Sequence, residues 1–331
     1  MADIGLRMRE VARLARASLH RWRARLSSRR IGLALFYHQI AENGGDPLLE
    51  ILPPRAVTTL ESHVHHLRRH YRLVAPSELL AAVQSRRRGQ RIPVALTFDD
   101  DLPSHVSHTA PLLRRLGAPA AFFLCGASLH GPWRFWWEDL QAALASGVLR
   151  ADGLPGAGED LVASALAGEH RAPKRLAMAI EELPASRRAD VASLLRSIAG
   201  EAPSEAGLRA HQARLLADSG FEIGFHTLRH DRLPPLNDDE LRAALRDGRA
   251  ELEAATNHAL TAVSYPHGLG DRRVADAARE AGFELGFTGE GRAVTAEDDP
   301  LLLPRIGPIA DTNDAFALEI GRFAAVVSGV R

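Results

Sequence analysis

The feature that most constrains the fold of this chain is the alternation of short apolar runs with stretches of helical periodicity. Apolar strands separated by helices are typical of a parallel sheet that is covered by helices. We therefore predict an α/β fold: a distorted (β/α) barrel of about seven or eight strands with a helical insertion, a doubly wound open sheet being the alternative. The predicted strands are Gly32–Tyr37, Tyr71–Val74, Val94–Phe98, Ala118–Leu124, Phe221–Phe225, Ala262–Tyr265, Phe283–Thr288 and Leu302–Ile306. The predicted helices are Pro54–His70, Ser77–Arg87, Ser107–Leu116, Asp238–Thr256 and Asp271–Ala281.

The alternation is interrupted from about residue 131 to about residue 217. This region is rich in Ala, Leu, Arg and Glu, contains no convincing strand, and is broken by Pro and Gly. We interpret it as a helical insertion between two barrel strands. Its first segment, Gly131–Leu140, holds three of the four tryptophans. Tryptophan faces stack on sugar rings, so a substrate-binding lip is one reading, and packing of the insertion on the barrel is the other.

The first thirty residues form a predicted unit of their own, followed by a barrel domain over 31–331. Met1–Arg30 carries nine arginines against two acids, a local net charge of +7, with apolar residues at helical spacing. A basic amphipathic helix of this kind either lies on an anionic membrane surface or docks on a protein surface. No signal peptide or transmembrane helix is recognisable. We expect a cytoplasmic enzyme that this helix can hold at the inner membrane face.

The composition is that of a globular protein and excludes several classes. The formal net charge of the 331 residues is zero, which gives no reason to expect nucleic acid as a partner. The single cysteine, Cys125, cannot form a disulfide within the chain and lies in an apolar run.

Two predicted strands end in groups that can bind a metal ion. Asp99 and Asp100 follow Val94–Phe98, and His226 and His230 follow Phe221–Phe225. Reactive groups of parallel barrels collect at the carboxyl ends of the strands. A catalytic zinc site uses three protein ligands, so one aspartate and two histidines suffice and the second aspartate can act as a base. We predict a divalent metal, with Zn²⁺ as the first choice, although a helix cap and a solvated histidine pair are the alternatives.

At these positions the sequence resembles the polysaccharide deacetylase family (NodB homology domain, carbohydrate esterase family 4). The first motif of that family, TFDDG, corresponds to Thr97–Asp101, and the second, H(S/T)xxH, corresponds to His226–His230. The flanking stretches LALFYHQI, APAAFFL, AVSYPHG and LLLPRIGP extend the resemblance.

The resemblance implies hydrolysis of an acetamido group on an N-acetylated glycan or oligosaccharide. It makes Asp99 the general base and Asp100, His226 and His230 the metal ligands. It also places the substrate and the oxyanion beside a third segment, which reads Tyr265, Pro266 and His267 here.

Two catalytic groups depart from the pattern of the family. The arginine of the third motif, which orients the catalytic aspartate, is missing, and Arg305 is our candidate replacement. The alternative is that Arg305 forms an ion pair with a structural carboxylate. No histidine follows His267 in the chain, so we take His38 as the general acid, with His267 in reserve. A His38 buried in the barrel wall is the opposing interpretation.

Asp101 occupies the position of a glycine in the family. We expect it either to keep a left-handed turn, which Asp tolerates better than most residues, or to add a third negative charge beside the metal. His105 and His108 are interpreted as surface helix residues, with pairing to Asp101 as the other option.

Two rival functions remain at the sequence level. One is a related hydrolase of a small non-sugar amide. The other is a catalytically silent barrel of the same fold that binds glycan or acts as a scaffold, which the unusual Asp101 and the missing arginine favour. The intact Asp-Asp and His-x-x-x-His pair favours the enzyme.

Overall fold

The computed structural model describes residues 2–325 of the chain. The predicted units 1–30 and 31–331 therefore extend beyond the described residues by Met1 and by residues 326–331. The described strands are β1 (Ile31–Tyr37), β2 (Ile40–Ala41), β3 (Arg55–Ala56), β4 (Arg72–Leu73), β5 (Pro93–Asp99), β6 (Ala121–Leu124), β7 (Glu222–Phe225), β8 (Ala262–Ser264), β9 (Leu285–Thr288), β10 (Val294–Thr295) and β11 (Leu303–Pro304).

The α-helices outnumber the strands, and short helical turns accompany them. The helices are α1 (Ala2–Leu26), α2 (Val57–His70), α3 (Leu79–Gln84), α4 (Ala110–Leu116), α5 (Trp136–Ala145), α6 (Glu159–Leu166), α7 (Ala172–Glu181), α8 (Ala185–Ala199), α9 (Ala210–Asp218), α10 (Asp238–Ala244), α11 (Arg249–Thr256), α12 (Arg272–Glu280) and α13 (Asn313–Ala325). Single turns are Pro76–Glu78, His105–Thr109 and Pro266–Gly268.

Parallel strands form a nearly closed ring, which confirms the predicted distorted (β/α) barrel. The order around the ring is β1-β5-β6-β7-β8-β9-β11, and every pair is parallel. The ring closes just after β11, where the amide of Phe36 donates to the carbonyl of Ile306 (3.0 Å) and the amide of Ile306 donates to the carbonyl of Ala34 (2.9 Å). Two backbone hydrogen bonds of Ile306 thus join the end of β11 to β1.

All eight predicted strands are present. The structure differs from the prediction in three very short strands and in one interrupted helix. Strands β2, β3 and β10 have two residues each, too few to give a periodic signal. The single helix predicted over Asp238–Thr256 is wrong: the chain forms α10 and α11, and Gly248 between them has a φ of 78°. A left-handed residue at this point interrupts the helix.

Helix α1 is docked on the barrel domain along one face. Ala17 and Ala24 are buried, and the small residue Gly321 of α13 lets the two helices approach closely, with a built Cβ 3.3 Å from the carbonyl oxygen of Ala17. The buried Arg86 donates to the carbonyls of Ala24 (2.9 Å) and Arg25 (3.0 Å), which satisfies acceptors at the end of the helix. Within residues 2–325 no helix combines the length and the hydropathy needed to cross a bilayer.

Between β6 and β7 lie five helices, α5 to α9, and several of them share a small apolar core. This core is separate from the main core of the barrel and takes in Ile51 from the loop before β3. Its largest fully covered members are Leu140, Val162, Leu176, Ile180 and Leu195. The inserted helices are therefore a packed body and not a loose excursion of the chain.

Two buried histidines of α2 pack against α13. His63 is fully buried, its ring stacks on Phe316 at 3.6 Å, and its Nδ1 is hydrogen-bonded to the hydroxyl of Tyr37 at 3.1 Å. Burial lowers the pKa of His63 to about 3, and the nearby Arg55 acts in the same direction. Burial and the neighbouring His70 lower the pKa of His66 to about 3 as well. Both side chains are therefore neutral in the folded protein at neutral pH.

The stability of the protein should fall as the pH drops from 7.5 to 5. The pKa of each histidine is lower in the folded chain than in the unfolded chain, where it is about 6.5, so the unfolded chain binds more protons in this range. Each residue then destabilises the native state by about 2 kcal/mol at pH 5. Urea unfolding of the wild type and of His63→Phe checks this: the variant should lose about 2 kcal/mol less on acidification. Equal losses would contradict it.

Candidate metal centre

The strand ends of the barrel bring the predicted site residues to one cavity. Asp99 closes β5, His226 follows β7, and Arg305 follows β11, and all of these strands run in the same direction. The cavity has a volume of about 430 Å³, and its lining includes Asp99, Asp100, His226, His230, His38, His267 and Arg305.

Asp99 and Arg305 form a buried, bidentate ion pair. The guanidinium donates from Nη1 to Oδ1 and from Nη2 to Oδ2, both at 2.8 Å, and neither residue is more than 2% exposed. Ser264 donates to Oδ2 (3.2 Å), and Nη1 of Arg305 donates to the hydroxyl of Thr97 (3.0 Å). Burial would raise the pKa of Asp99, but the charge and hydrogen bonds of Arg305 hold it well below its usual range. Asp99 is therefore ionised and fixed in orientation.

Asp100, His226 and His230 form a compact cluster beside this pair. Oδ1 of Asp100 lies 3.5 Å from Nε2 of His226 and 3.5 Å from Nε2 of His230. The three ligand atoms all lie within 4.8 Å of one another. Burial raises the pKa of Asp100 well above its usual range, and the charge of Asp99 acts in the same direction. A carboxylate in this position is stabilised by a cation.

The surroundings orient both imidazoles. Nδ1 of His226 donates to the carbonyl of Ser264 at 2.7 Å, so its Nε2 carries the lone pair and faces Asp100. A backbone carbonyl on the far nitrogen is the usual arrangement for a metal-ligating histidine. The ring of His230 packs edge-on against Trp137 (4.7 Å between centroids) and Phe135 (5.7 Å). Both imidazole rings are thus held by groups outside the cluster.

Asp101 points away from the cluster and fulfils neither expectation from the sequence. The left-handed residue of this turn is Asp100, with a φ of 76°. Asp101 instead accepts hydrogen bonds from the amides of Cys125 (2.8 Å), Gly126 (3.1 Å) and Ser128 (3.3 Å), and from the hydroxyl of Ser128 (3.1 Å). Burial raises its pKa while these bonds oppose that shift. Its carboxylate fixes the loop after β6.

The prediction that His105 lies on the surface is wrong. The side chain is fully buried, and its Nε2 donates to the backbone carbonyls of Asp99 and Asp100, each at 3.0 Å. The tight turn at His105–Thr109 folds the chain back beneath the aspartates. His108, three residues on, is half-buried and does not line the cavity.

The third segment is divided between the core and the cavity. Tyr265 is fully buried, and its hydroxyl donates to the carbonyl of Leu301 at 2.8 Å, so its side chain does not reach the cavity. Pro266 is also buried. His267, with a φ of 59°, lines the cavity, and its Nε2 lies 3.4 Å from Oε1 of Glu181 on α7.

A comparison with protein families decides the relationship. The profile of the family described as Polysaccharide deacetylase matches residues 86–150 and 189–286, which contain both the Asp-Asp and the His-x-x-x-His elements. The chain belongs to the polysaccharide deacetylase family. It is accordingly a hydrolase of non-peptide carbon–nitrogen bonds, of the class that removes N-acetyl groups from sugars. A search of curated proteins found no match.

Solved structures of deacetylases share the fold of this deacetylase at low sequence identity. The Streptococcus pyogenes deacetylase PplD in complex with acetate is 16% identical, with a TM-score of 0.54, and the match covers 84% of this chain and 92% of that one. IcaB from Ammonifex degensii is 18% identical, with a TM-score of 0.54 and coverage of 89% and 97%. A polysaccharide deacetylase from Bacillus cereus is 16% identical, with a TM-score of 0.55 and coverage of 88% and 69%.

The cavity of this deacetylase includes residues that sequence reasoning missed. Ser264 orients both Asp99 and His226, but a lone serine gives no signal. Lys174 and Glu181 of α7 also line the cavity, and α7 lies in the stretch 151–188 that the family profile leaves unmatched. One sequence signal was available: the spacing of positions 174, 177, 178 and 181 places these residues on one face of a helix. Trp136 and Trp137 pack on the small core of the insertion, as the packing interpretation expected, and they also line the cavity. A role as a substrate-binding lip stays a prediction.

Proposed function

We propose that this chain is a metal-dependent N-deacetylase that hydrolyses the acetamido group of a sugar in a polysaccharide or a glycan precursor. One observation carries the proposal: a buried carboxylate and two imidazoles converge beside a second, arginine-bound carboxylate in a single cavity. Amide hydrolysis needs an electrophilic centre, a base for the attacking water and a proton donor for the leaving nitrogen. The cavity supplies candidates for all three.

The residues present fit a divalent cation. Oδ1 of Asp100 is buried and has no hydrogen-bond partner among residues 2–325, which is rare for a buried carboxylate oxygen. Ligand atoms around a tetrahedral zinc ion, at about 2.0 Å from it, lie about 3.3 Å apart. Both separations from Asp100 are 3.5 Å, and all three ligand atoms lie within 4.8 Å of one another. Two imidazoles with one carboxylate form a donor set that suits Zn²⁺ and leaves a position open.

In this proposal Asp99 is the general base. When bound, the ion would polarise the acetamide carbonyl and increase the acidity of the attacking water. Oδ1 of Asp99 accepts one hydrogen bond, from Arg305, within the described part of the chain, so a lone pair remains for the proton of that water. Arg305 and Ser264 hold the carboxylate plane while the proton moves.

The leaving nitrogen needs a proton, and His38 is the proposed donor. His38 is half-buried in the cavity wall, on the side of Asp99 and Arg305, whose charges both act on it. Burial lowers the pKa of His38 to about 4, so the free side chain is neutral near pH 7 and must first gain, during the reaction, the proton that it donates. His267 is less suitable because its Nε2 faces Glu181. We place the oxyanion beside the backbone of Pro266 and His267, since His267 and Gly268 line the cavity.

We also propose that α1 holds the enzyme on an anionic membrane surface. Met8, Val11, Leu19 and Trp22 form an apolar stripe whose side chains are 68%, 66%, 49% and 57% exposed. At about 100° per residue, this stripe lies on the side of the helix opposite the docked face of Ala17 and Ala24. An exposed apolar stripe with a tryptophan is typical of helices that lie in the membrane interface.

Arginines border this stripe. Arg9, Arg16 and Arg23 follow one edge at seven-residue intervals, and all three are exposed. Each basic residue near an anionic leaflet contributes about 1 kcal/mol of attraction. Because the opposite face of α1 covers α13, the helix can bind lipid without leaving the barrel.

The first test is the metal content of the purified protein. After dialysis, the wild type should retain about one equivalent of Zn²⁺, and His226→Ala should lose it because two ligands are too few for tight binding. Elemental analysis gives both values, and His108→Ala, a half-buried histidine outside the cavity, is the matched control. A protein that binds no ion even in excess Zn²⁺ would overturn the metal assignment and favour a silent, glycan-binding barrel.

The second test is turnover. Asp99→Asn keeps the shape of the side chain but removes the base, so the release of acetate from N-acetylglucosamine oligomers should fall by about 10³-fold. Its Zn²⁺ content should stay at the wild-type value, which separates loss of the base from loss of the ion. Ser264→Ala, which removes one hydrogen bond from Asp99, should cost less than about tenfold. Near-normal turnover in Asp99→Asn would exclude it as the base.

The third test is vesicle binding. Deleting α1 would uncover the face of α13, so point substitutions are the better probe. Val11→Ser combined with Trp22→Ser should weaken sedimentation with phosphatidylglycerol vesicles by about tenfold or more, and neutral vesicles should bind the wild type weakly. Ile309→Ser, at an apolar residue that is 85% exposed elsewhere on the surface, should leave binding unchanged. Equal binding by the double variant would rule out the stripe as a membrane contact.

A further inference from the structure

Helix α7 forms one wall of the catalytic cavity with a single face. Lys174, Ala177, Met178 and Glu181 all line the cavity, and their spacing of three, one and three residues places them on one side of a helix. The opposite side of α7 is buried in the small core of the insertion through Leu176 and Ile180. The wall is therefore held in place by packing of its own.

The two ends of this wall carry opposite charges. Glu181 lies 3.4 Å from His267 and has its other carboxylate oxygen buried, while its backbone carbonyl accepts from Arg188 at 3.2 Å. Lys174, two turns away, lies towards His38 and is among the charges that act on it. Seven residues of helix separate the two ends by about 10 Å.

Among the described residues that line the cavity, Lys174 is the cation without a charged partner. The other basic residue of the lining, Arg305, is committed to Asp99. Lys174 is exposed and makes no ion pair with any carboxylate in the described part of the chain. It is also the one lysine of the sequence, among forty-one basic residues. A lysine ammonium is a compact charge on a flexible stem, which suits a single anionic group better than a planar arginine does.

We propose that Lys174 selects a substrate in which the acetamido sugar carries, or adjoins, an anionic group. This inference rests on the proposed deacetylase function and specifies its substrate class. The acetamido group lies at the metal cluster, and the carboxylate or phosphate of the substrate lies at the Lys174 end of α7. Glu181, at the other end, is already paired with Arg188 and His267, so the unpaired charge of the wall lies at its Lys174 end. Because the family profile does not include α7, this selection belongs to the present chain and not to the common core.

Steady-state deacetylation of three probes tests the proposal. The probes are chitotetraose, which is neutral, a heparosan tetrasaccharide, which carries uronate carboxylates, and N-acetylglucosamine 1-phosphate. The wild type should have a lower KM for at least one charged probe than for chitotetraose. The identity of the preferred probe shows whether the recognised anion is a carboxylate or a phosphate. Lys174→Gln should raise that KM by about fivefold to tenfold, with kcat unchanged. Its KM for chitotetraose should not change.

The controls separate a charge effect from a structural one. Arg175→Gln removes the adjacent exposed charge, which does not line the cavity, and should leave every KM unchanged. Lys174→Arg should restore most of the preference. An equal rise in KM for the neutral and charged probes, or no change for the charged ones, would overturn the proposal.

A binding measurement keeps this test independent of turnover. Saturation-transfer NMR of the same probes with the wild type and Lys174→Gln, in the presence of Zn²⁺, reports binding even if no acetate is released. Suppose that no acetate is released, but the wild type binds a charged probe preferentially and Lys174→Gln does not. The deacetylase function would then fail, while the selection by Lys174 would be supported. Equal binding of neutral and charged probes by the wild type would overturn the selection, whatever the turnover.

Discussion

The buried ion pair between Asp99 and Arg305 is the interaction on which both the barrel and the site depend. Asp99 ends β5 and Arg305 follows β11, and β1 lies between these strands in the ring. The pair therefore spans the seam where the barrel closes through the few bonds of Ile306. The guanidinium also lies over the ring of Phe36 of β1, at 4.9 Å. Removing one partner would leave a buried, uncompensated charge, which typically costs about 3–5 kcal/mol.

The same pair explains how three consecutive aspartates can be buried together. Asp99 is neutralised by Arg305, and Asp101 by three backbone amides and a hydroxyl. Of the three, Asp100 alone has a buried carboxylate oxygen, Oδ1, without a hydrogen-bond partner among the described residues, and this oxygen faces two imidazoles. Its left-handed backbone sends its side chain into the cavity, between neighbours that are already satisfied. The uncompensated negative charge of the three aspartates is thus confined to the one that faces the imidazoles.

Much of this arrangement could be predicted because it follows from local patterns. The eight strands are short, apolar and bounded by polar residues, and the carboxyl ends of parallel strands meet, so Asp99, Asp100, His226 and His230 were expected together. The placement of Arg305 against Asp99 was open, and only the closing of the ring brings β11 close enough to β5. The unexpected features are tertiary. The burial of His105 depends on how the chain turns after the aspartates, and the amides that donate to Asp101 belong to a loop that begins twenty-four residues further along the chain.

The insertion could not be placed from the sequence for the same reason. Its helices have amphipathic patterns, but a pattern does not reveal which surface the apolar face covers or what the polar face meets. The structure gives α7 a core of its own and turns its remaining face to the cavity. The barrel and this wall therefore have separate cores and meet at the cavity. If the proposed selection by Lys174 holds, substitutions on the cavity side of α7 would change which glycan is accepted without reaching Asp99 or Arg305, because sites that share no contacts contribute almost independently.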